Sequence, residues 1–449
     1  MTKEVKIIGA GPAGMFAARE LSKHTKVIVY DEGREANSRP CPKTKTGICT
    51  NCHPCNITHG IGGAGLRTDG KSIYDIRVGN NLNEVISPEK NKSLTQIVEE
   101  IISSYGIKTA IEDTEKVEAT RRLALKNRVD FLYPRQAHIG SNNLPVIMQQ
   151  FKEELEANGV EFRTCHKIKS IDEIATPQDI VLLAPGRAGG GEGWMEAILR
   201  KEGASISYRP VDIGTRVETD SLVTKAITDI TRDMKFYFTP DAFPQARVRT
   251  FCTNPNGFVA QESYDGFITV NGHAESGENG RKTPNTNFAI LVTVDLKKPA
   301  SNSNENARYF AQYINNLGGN QITAVRWSDF KKHKRSDVEK QDSYFTQPTL
   351  KGFNWGSAYF LPTIYHESIK EAMERFDGIM PGLANDGTIL YIPEIKFHGL
   401  RIPTDENLRV TGIDKSIYVA GDGSGFTRGI VGAAVSGLLA AEGIIKQLS

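Results

Sequence analysis

The sequence predicts an α/β fold of two domains, in which the second domain is inserted between strands of the first. At 449 residues, the chain exceeds the size of one typical core. Buried-strand patterns with glycine-rich turns occur near both ends, around residues 4–14 and 417–432. Between about 210 and 395, alternating strand patterns are separated by Pro- and Asn-rich turns, as is typical of antiparallel sheets. The predicted segments are 1–90, 130–210 and 395–449 for the first domain, 91–129 for a helical excursion, and 211–394 for a mainly antiparallel substrate or cap domain.

The composition is that of an ordinary globular protein, with 39% hydrophobic and 24% charged residues. A formal net charge of +2 offers no electrostatic argument for a nucleic-acid or membrane partner. Mean hydropathy is −0.36, and we expect no stretch that approaches a membrane span. The first residues lead straight into a strand pattern, without the apolar core of a signal peptide. We therefore expect a soluble, cytoplasmic protein.

The first glycine-rich turn has the context of a dinucleotide-binding fingerprint. Gly9-x-Gly11-x-x-Gly14 follows a strand pattern and opens a helical one, and Asp31 ends the next strand 22 positions after Gly9. In such a Rossmann-type unit, the three glycines permit the tight turn, the approach of the pyrophosphate and close helix–strand packing. The helix N-terminus attracts the phosphates, and Asp31, with Glu32 as the alternative, accepts hydrogen bonds from the ribose. The residues predicted to bind the dinucleotide here are Gly9, Gly11, Pro12, Ala13, Gly14, Asp31 and Glu32.

A second glycine-rich turn, near the C-terminus, favours FAD over NAD. Gly421-Asp422 follows a strand pattern, and Gly429 begins a small-residue helix. In flavoproteins such a turn holds the ribityl–phosphate part of FAD, and such a helix faces the flavin. The glycine-rich run 185–191 lacks an identifiable ribose-binding acid. We interpret it as the loop by which the chain leaves the FAD domain, with NAD(P) binding as the alternative. The FAD contacts predicted from these segments are Ala184, Gly186, Gly421, Asp422, Gly429, Ile430 and Val431.

Together with several further motifs, these turns resemble the uncharacterised FAD-dependent dehydrogenases, within the class of two-dinucleotide-binding-domain flavoproteins. The motifs that carry the resemblance span nearly the whole chain: Gly9–Gly14, Arg39–Pro42, Cys49–Asn56, Gly62–Leu66 with Asp69–Lys71, His138–Gly140, Pro210–Glu218, Arg249–Cys252, Val270–Gly272 and Gly421–Gly423. The resemblance implies a bound FAD and names no substrate. It adds these residues to the predicted cofactor site: Arg39, Gly62, Gly63, Ala64, Gly65 and Leu66.

Two positions depart from the pattern of that family. After the Gly-Gly-Ala-Gly turn the family often has Phe-Ser, where this chain has Leu66-Arg67. After the late turn it often has Tyr-Ala-Gly-Gly-Ile, where this chain has Phe426-Thr427-Arg428-Gly429-Ile430. We expect Arg67 and Arg428 near the cofactor, where they favour an anionic reduced flavin or an anionic substrate.

Four cysteines lie within fifteen residues and predict a metal or redox centre. Cys41-x7-Cys49-x2-Cys52-x2-Cys55 allows four thiolates to converge on an iron–sulfur cluster or on zinc. A redox-active or merely structural set of thiols is the third alternative, since a reducing compartment disfavours disulfides. His53 and His59 lie in the same loop and are able to replace a thiol. An iron–sulfur cluster here would pass single electrons to the flavin.

The sequence does not identify a unique catalytic base. Arg216, Arg249 and Arg401 are able to clamp a carboxylate or phosphate. His398 and Arg401 are favoured as catalytic residues because they precede the last predicted FAD strand.

The leading hypothesis is an FAD-dependent dehydrogenase or reductase that acts on a small molecule, with a redox partner protein as a further expectation. Two other hypotheses are an FAD-dependent tRNA modification enzyme and a non-catalytic flavin and metal redox sensor. A net charge of only +2 disfavours the large basic RNA-binding face expected of a tRNA enzyme.

Overall fold

The computed structural model describes residues 4–42, 50, 52–68, 70–110, 113–140, 143–187, 189, 193–264, 266–275, 280–295, 302–397 and 399–449. The strands are β1 Val5–Ile8, β2 Val27–Tyr30, β3 Lys71–Ile73, β4 Asp130–Leu132, β5 Gln136–His138, β6 Glu161–Arg163, β7 Ile180–Leu183, β8 Ser207–Tyr208, β9 Val211–Asp220, β10 Lys235–Phe238, β11 Ala246–Asn254, β12 Phe258–Tyr264, β13 Phe267–His273, β14 Asn285–Val294, β15 Ile322–Arg326, β16 Phe353–Trp355, β17 Ile389–Lys396, β18 Leu400–Arg401 and β19 Ile417–Val419. The α-helices are α1 Pro12–Leu21, α2 Pro88–Ser104, α3 Thr114–Lys126, α4 Leu144–Ala157, α5 Trp194–Lys201, α6 Ser221–Thr228, α7 Ser303–Leu317, α8 Trp327–Phe330, α9 Thr363–Asp377 and α10 Gly429–Leu448.

The chain divides into two units, each assembled from separate stretches of sequence. Unit 1 comprises Met1–Ala110, Pro134–Arg209 and Gly399–Ser449, and unit 2 comprises Ile111–Tyr133 and Pro210–His398. The segment predicted as a helical excursion, residues 91–129, is divided, because α2 belongs to unit 1 and α3 to unit 2.

Unit 1 is built on a parallel sheet with the strand order β19-β7-β1-β2-β6. The short apolar runs of β1, β2 and β7 are buried throughout, as expected for strands covered on both faces. The chain runs from β1 through α1 to β2 on one side, while β7 lies on the other side of β1. The strand order therefore reverses beside β1, and ligands of such sheets bind at the carboxyl ends of the strands at this switch point.

Helix α10 packs against α1 and α2 in the core of unit 1. It is long and apolar enough to cross a membrane by length and composition, and no other helix of the described residues meets that test. The expectation that no stretch approaches a membrane span is therefore wrong as far as length and composition are concerned. Most of the helix is buried in the core of unit 1, where Ala434, Val435, Leu439 and Ala440 pack, which accounts for its apolar character.

Unit 2 is built on a sheet with the order β16-β15-β17-β9-β14-β11-β10-β4, in which every neighbouring pair is antiparallel except β15 and β16. The long strands β9 and β14 pair in register over Val211–Asp220. The core of the unit lies where this sheet packs against α9 and α7, around Phe236, Phe288 and Phe376. The predicted fold class, a Rossmann-type domain interrupted by a mainly antiparallel one, is confirmed.

Candidate cofactor site

The glycine fingerprint forms the turn between β1 and α1 at the carboxyl edge of the parallel sheet. Gly9 has a φ of +109°, and a Cβ there would overlap the carbonyl oxygen of Ala184. A Cβ on Gly14 would overlap the carbonyl oxygen of Gly9, so both positions require glycine. Gly11 differs in that a Cβ there would make only ordinary contact, at 3.7 Å from the Cα of Gly63. In addition, no side chain caps the first N–H groups of α1. The space beside Gly11 is thus lined by backbone and suits a pyrophosphate.

Asp31 joins three turns through its two carboxylate oxygens. Oδ2 accepts a hydrogen bond from the N–H of Ala10 at 2.8 Å. Oδ1 accepts from the N–H groups of Gly33 and Gly60, each at 2.8 Å. These backbone donors show that Asp31 organises the site. Oδ2 is able to accept a second hydrogen bond, so both Asp31 and Glu32 stay candidates for the ribose contact.

Glu32 lies at the same edge, in contact with two basic side chains. Its Oε1 lies 3.0 Å from Nε2 of His59, and its Oε2 lies 3.6 Å from Nζ of Lys167. Nδ1 of His59 lies 2.7 Å from the hydroxyl of Thr58. No local pattern links His59 to an acid 27 positions earlier, so its place beside the predicted ribose site is a contact that sequence reasoning missed.

Arg39 is fully buried and holds a loop of the chain by its backbone. Its Nε donates to the carbonyl of Asn56 at 2.9 Å and its Nη2 to that of Ile57 at 2.7 Å. Nη1 donates to the carbonyls of Ile61 and Gly63 at 2.8 and 2.9 Å. Arg39 was predicted to bind FAD, and these four bonds give it a positioning role toward the loop that would contact FAD.

This loop packs against both glycine-rich turns. The N–H of Gly62 donates to the carbonyl of Ala10 at 2.8 Å, and Leu66 is buried in the core of unit 1. A Cβ on Gly65 would lie 3.2 Å from Cγ1 of Ile430, in the first turn of α10. The 3-10 helix Ala64–Arg67 therefore lies beside the N-terminus of α10.

The late turn contributes the acid that the sequence predicts. Gly421 has a φ of +74° and donates its N–H to the hydroxyl of Ser436 at 2.8 Å. A Cβ on Gly421 would lie 3.1 Å from the Cβ of Ala13. Oδ2 of Asp422 accepts from the N–H of Gly429 at 3.3 Å. Oδ1 of Asp422 is buried and has no hydrogen-bond partner within the described part of the chain. A buried acceptor of this kind suits a hydroxyl donor such as those of a ribityl chain.

Burial raises the pKa of Asp422 to about 6. The positive charge of Arg187 and the N–H of Gly429 both favour the carboxylate and oppose this rise. Arg187 belongs to the turn after β7, in which Ala184 and Gly186 also lie, and a Cβ on Gly423 would overlap the carbonyl oxygen of Gly186.

The structure thus brings the predicted cofactor residues together in unit 1. The turns after β1, β7 and β19 meet at one edge of the sheet, and the loop of residues 56–67 lies against two of them. Val431 is buried in the first turn of α10, whose N-terminus carries no side-chain cap. An FAD molecule fits three features of this edge: the backbone-lined space at Gly11, the uncapped N-termini of α1 and α10, and the buried oxygen of Asp422 that has no partner among the described residues.

The predicted catalytic residues are placed less clearly. Arg401 lies on β18, with its side chain 63% exposed and Nη2 3.8 Å from a carboxylate oxygen of Glu84. His398 lies outside the described residues. Arg428 is the N-cap residue of α10, next to Gly429, whereas the side chain of Arg67 is not described.

Arg216 and Arg249 are not available as clamps for a substrate carboxylate. Arg216 forms an ion pair with Glu394 in which both side chains are 0% exposed. Arg249 pairs with Asp212, which is also buried. The partner of Arg216 lies on the neighbouring strand β17, and that of Arg249 lies on β9, on the far side of β14. Both partners are too far away in the sequence for local patterns to reveal them.

The cysteine cluster is described in part. Cys41, Cys52 and Cys55 are half-buried, whereas Cys49 lies outside the described residues. The sulfurs of the three described cysteines do not form a group within 4.8 Å of one another. The carbonyl of Cys55 accepts from the N–H groups of Thr58 and His59, so the cysteine loop continues directly into the loop held by Arg39.

Comparison with known proteins bears on the cofactor. Residues 217–396, which lie inside unit 2, match the family described as FAD-dependent protein, C-terminal domain-like. The match supports FAD as the cofactor, and it agrees with the family resemblance found in the sequence.

One further protein sequence and two solved structures are also similar to this chain. An uncharacterized protein of Clostridium beijerinckii (strain ATCC 51743 / NCIMB 8052) is 25% identical over an alignment of 488 residues, which covers 99% of this chain and 82% of the relative. Glycine oxidase from Bacillus cereus ATCC 14579 is 13% identical, with a TM-score of 0.39 and coverage of 100% and 96% of the two chains. L-proline dehydrogenase from P. horikoshii is 13% identical, with a TM-score of 0.41 and coverage of 99% and 94%. At these scores neither structure bears on the substrate of this chain.

Proposed function

We propose that this chain is a flavin-dependent dehydrogenase or reductase of a small molecule, in which unit 1 holds FAD through the turns after β1, β7 and β19. The observation that carries the proposal is the meeting of these turns at the switch point of the sheet, with an uncapped helix N-terminus at two of them. The N–H groups of α1 suit the pyrophosphate, Asp31 and Glu32 suit the ribose, and Asp422 suits the ribityl hydroxyls. Bound FAD supplies the acceptor for two electrons from the substrate.

Gly11 offers a test that separates FAD binding from folding. A Cβ at this position makes only ordinary contact with Gly63 in the protein, but it occupies the space assigned to the pyrophosphate. We expect purified wild-type protein to show flavin bands near about 380 and 450 nm. Gly11→Ala should keep the thermal unfolding midpoint of the FAD-free protein and lower FAD affinity by at least about tenfold.

The matched control is Gly412→Ala, because Gly412 has a φ of +77° with nothing within 4 Å of the added Cβ. This variant carries backbone strain without filling the cradle, and we expect it to bind FAD normally. Folded wild-type protein that takes up no flavin from added FAD would contradict the proposal.

We also propose that Cys41, Cys49, Cys52 and Cys55 hold an iron–sulfur cluster or zinc, the remaining alternative being a redox-active set of thiols. Support comes from their spacing and from the hydrogen bonds that connect Cys55 to the loop beside the predicted FAD site. Anaerobic purification followed by iron, sulfide and zinc analysis decides between them. Iron with sulfide indicates a cluster, stoichiometric zinc without iron indicates a zinc site, and folded protein with neither contradicts a metal centre.

A further inference from the structure

Three metal-ligating side chains converge in unit 2, away from the cysteine loop in the sequence. His333 follows α8, whereas His366 and Glu367 lie in the first turns of α9. One ligand atom from each lies within 4.8 Å of the others, and the described part of the chain holds no other such group of histidine, cysteine, aspartate or glutamate. We propose that these three residues bind a divalent transition-metal ion of the zinc type.

His366 is oriented as a metal ligand by a backbone carbonyl. It is fully buried, and its Nε2 lies 2.9 Å from the carbonyl oxygen of Phe330. Because a carbonyl only accepts, Nε2 carries the proton and donates it to this bond. The other nitrogen of a metal-bound histidine is commonly fixed in this way. In the neutral ring, Nδ1 is therefore left as the atom with the free lone pair.

The lone pair on Nδ1 of His366 faces a second acceptor. Nδ1 lies 2.8 Å from Oε1 of Glu367, and Nε2 of His333 lies 3.9 Å from the same oxygen. An imidazole lone pair and a carboxylate oxygen repel each other unless a cation lies between or beside them. A metal ion between these atoms satisfies this need and accepts one more ligand.

His333 supplies that further ligand from a partly exposed position. Its side chain is 50% exposed, and its ring stacks on that of His366 with the centroids 3.7 Å apart. Solvent at the exposed edge completes a four-coordinate shell of two nitrogens, a carboxylate oxygen and water.

The positive side chains nearby do not prevent binding. Lys331 pairs with Asp386 at 3.2 Å, and Lys370 lies 3.8 Å from Oε2 of Glu367, leaving Oε1 toward the histidines. A bound ion would connect the turn after α8 to α9. This site is independent of FAD and of the cysteine loop.

Co²⁺ is the probe that separates this site from the cysteines. Full-length protein is freed of metal with a chelator and titrated with Co²⁺. Thiolate ligands give an intense near-ultraviolet charge-transfer band, whereas a histidine and carboxylate site gives only weak visible bands. We expect wild type to bind one equivalent with weak visible bands and with a rise in the unfolding temperature of unit 2.

His333→Ala and Glu367→Gln should each weaken this binding by at least about tenfold. The matched controls are His24→Ala, an exposed histidine of unit 1, and Glu374→Gln, an exposed acid of α9, and both should bind as wild type. Equal Co²⁺ affinity in wild type, His333→Ala and Glu367→Gln would overturn the proposal, as would no histidine-type binding at millimolar Co²⁺. The flavin spectrum of the same samples reports FAD binding separately.

Discussion

The glycine-rich turns of unit 1 and the polar face of the unit 2 sheet both concentrate hydrogen-bonding groups, but they differ in what remains unsatisfied. At the turns, the N-termini of α1 and α10 carry no side-chain cap, and Oδ1 of Asp422 has no partner among the described residues. On the sheet, charged side chains are buried in pairs, as Arg216 is with Glu394. The difference teaches that buried charge by itself does not mark a ligand site, whereas unmet donors and acceptors at an edge do.

The network around Arg216 shows how one buried charge of unit 2 is satisfied within the sheet. Besides its pair with Glu394, Arg216 donates to the carbonyl of Cys252 at 2.9 Å and to the side-chain oxygens of Asn287 and Asn271, each at 3.2 Å. Burial alone would lower the pKa of Arg216, but the Glu394 carboxylate more than offsets this, so the pKa is raised. The guanidinium is held charged and fully bonded, which is a structural arrangement.

The largest expected effect is the loss of stability on breaking this pair. Arg216→Met removes the guanidinium from the buried carboxylate of Glu394 and leaves it only Lys396, at 3.2 Å. We expect the free energy of unfolding to fall by about 3 kcal/mol. Urea unfolding of the FAD-free protein measures this. The double variant Arg216→Met/Glu394→Leu removes the stranded charge and should regain most of the loss. A loss below about 1 kcal/mol for the single variant would mean that the network is open to solvent or ligand, like the turns of unit 1.

The next largest effect concerns Arg39, the buried cation of unit 1. Its four bonds go to backbone carbonyls of the loop that includes Gly63, so its removal should loosen the cradle. We expect Arg39→Met to weaken FAD binding by about 30-fold, equivalent to about 2 kcal/mol. Quenching of flavin fluorescence measures the Kd. Arg39→Lys keeps the charge but cannot span the same carbonyls and should recover only part of the affinity, whereas an unchanged Kd in Arg39→Met would show that the loop does not shape the FAD site.

The contrast between the two regions also explains what the sequence could predict. The fingerprint from Gly9 to Gly14 was predictable because Gly14 serves a contact within the turn and Gly9 a contact at the end of the adjacent strand β7. The roles of Asp31 and Arg39 were not, because their partners at Gly60 and Ile61 lie 29 and 22 positions away and no short motif encodes them. In unit 2 the separation grows to 178 positions between Arg216 and Glu394, where only the register of β9 and β17 creates the pair.

A smaller effect is expected in the pH dependence of FAD binding. The pKa of Asp422 is raised from 3.8 to about 6 by burial, so the FAD-free fold loses stability as pH rises from about 4 to 6 and this carboxyl ionises. A hydroxyl donated by FAD favours the carboxylate, so binding should release a proton below pH 6. We expect FAD affinity to fall by about tenfold from pH 7 to pH 5, and Asp422→Asn to abolish most of this slope.

Two measurements complete the test of Asp422. Glu153→Gln, at an exposed position on α4, should keep the wild-type slope. If Asp422→Asn shows the same slope as wild type, another group controls the pH dependence and Asp422 does not contact FAD.

The smallest effect on stability is expected at Arg401. Here a kinetic measurement distinguishes a residue of the reaction from an ordinary surface residue. The side chain is 63% exposed and lies 3.8 Å from its acidic neighbour Glu84, so Arg401→Ala should change the free energy of unfolding by less than about 0.5 kcal/mol. Glu84 has a stronger partner in Arg209, which donates to both of its oxygens at 2.8 and 2.9 Å. Glu84 therefore keeps its charge compensated when Arg401 is removed. A fall in kcat/KM for Arg401→Ala, with stability and FAD content unchanged, would assign Arg401 to the reaction, as its place before the last FAD strand predicts. Unchanged turnover would show that its weak pair with Glu84 is an ordinary surface contact.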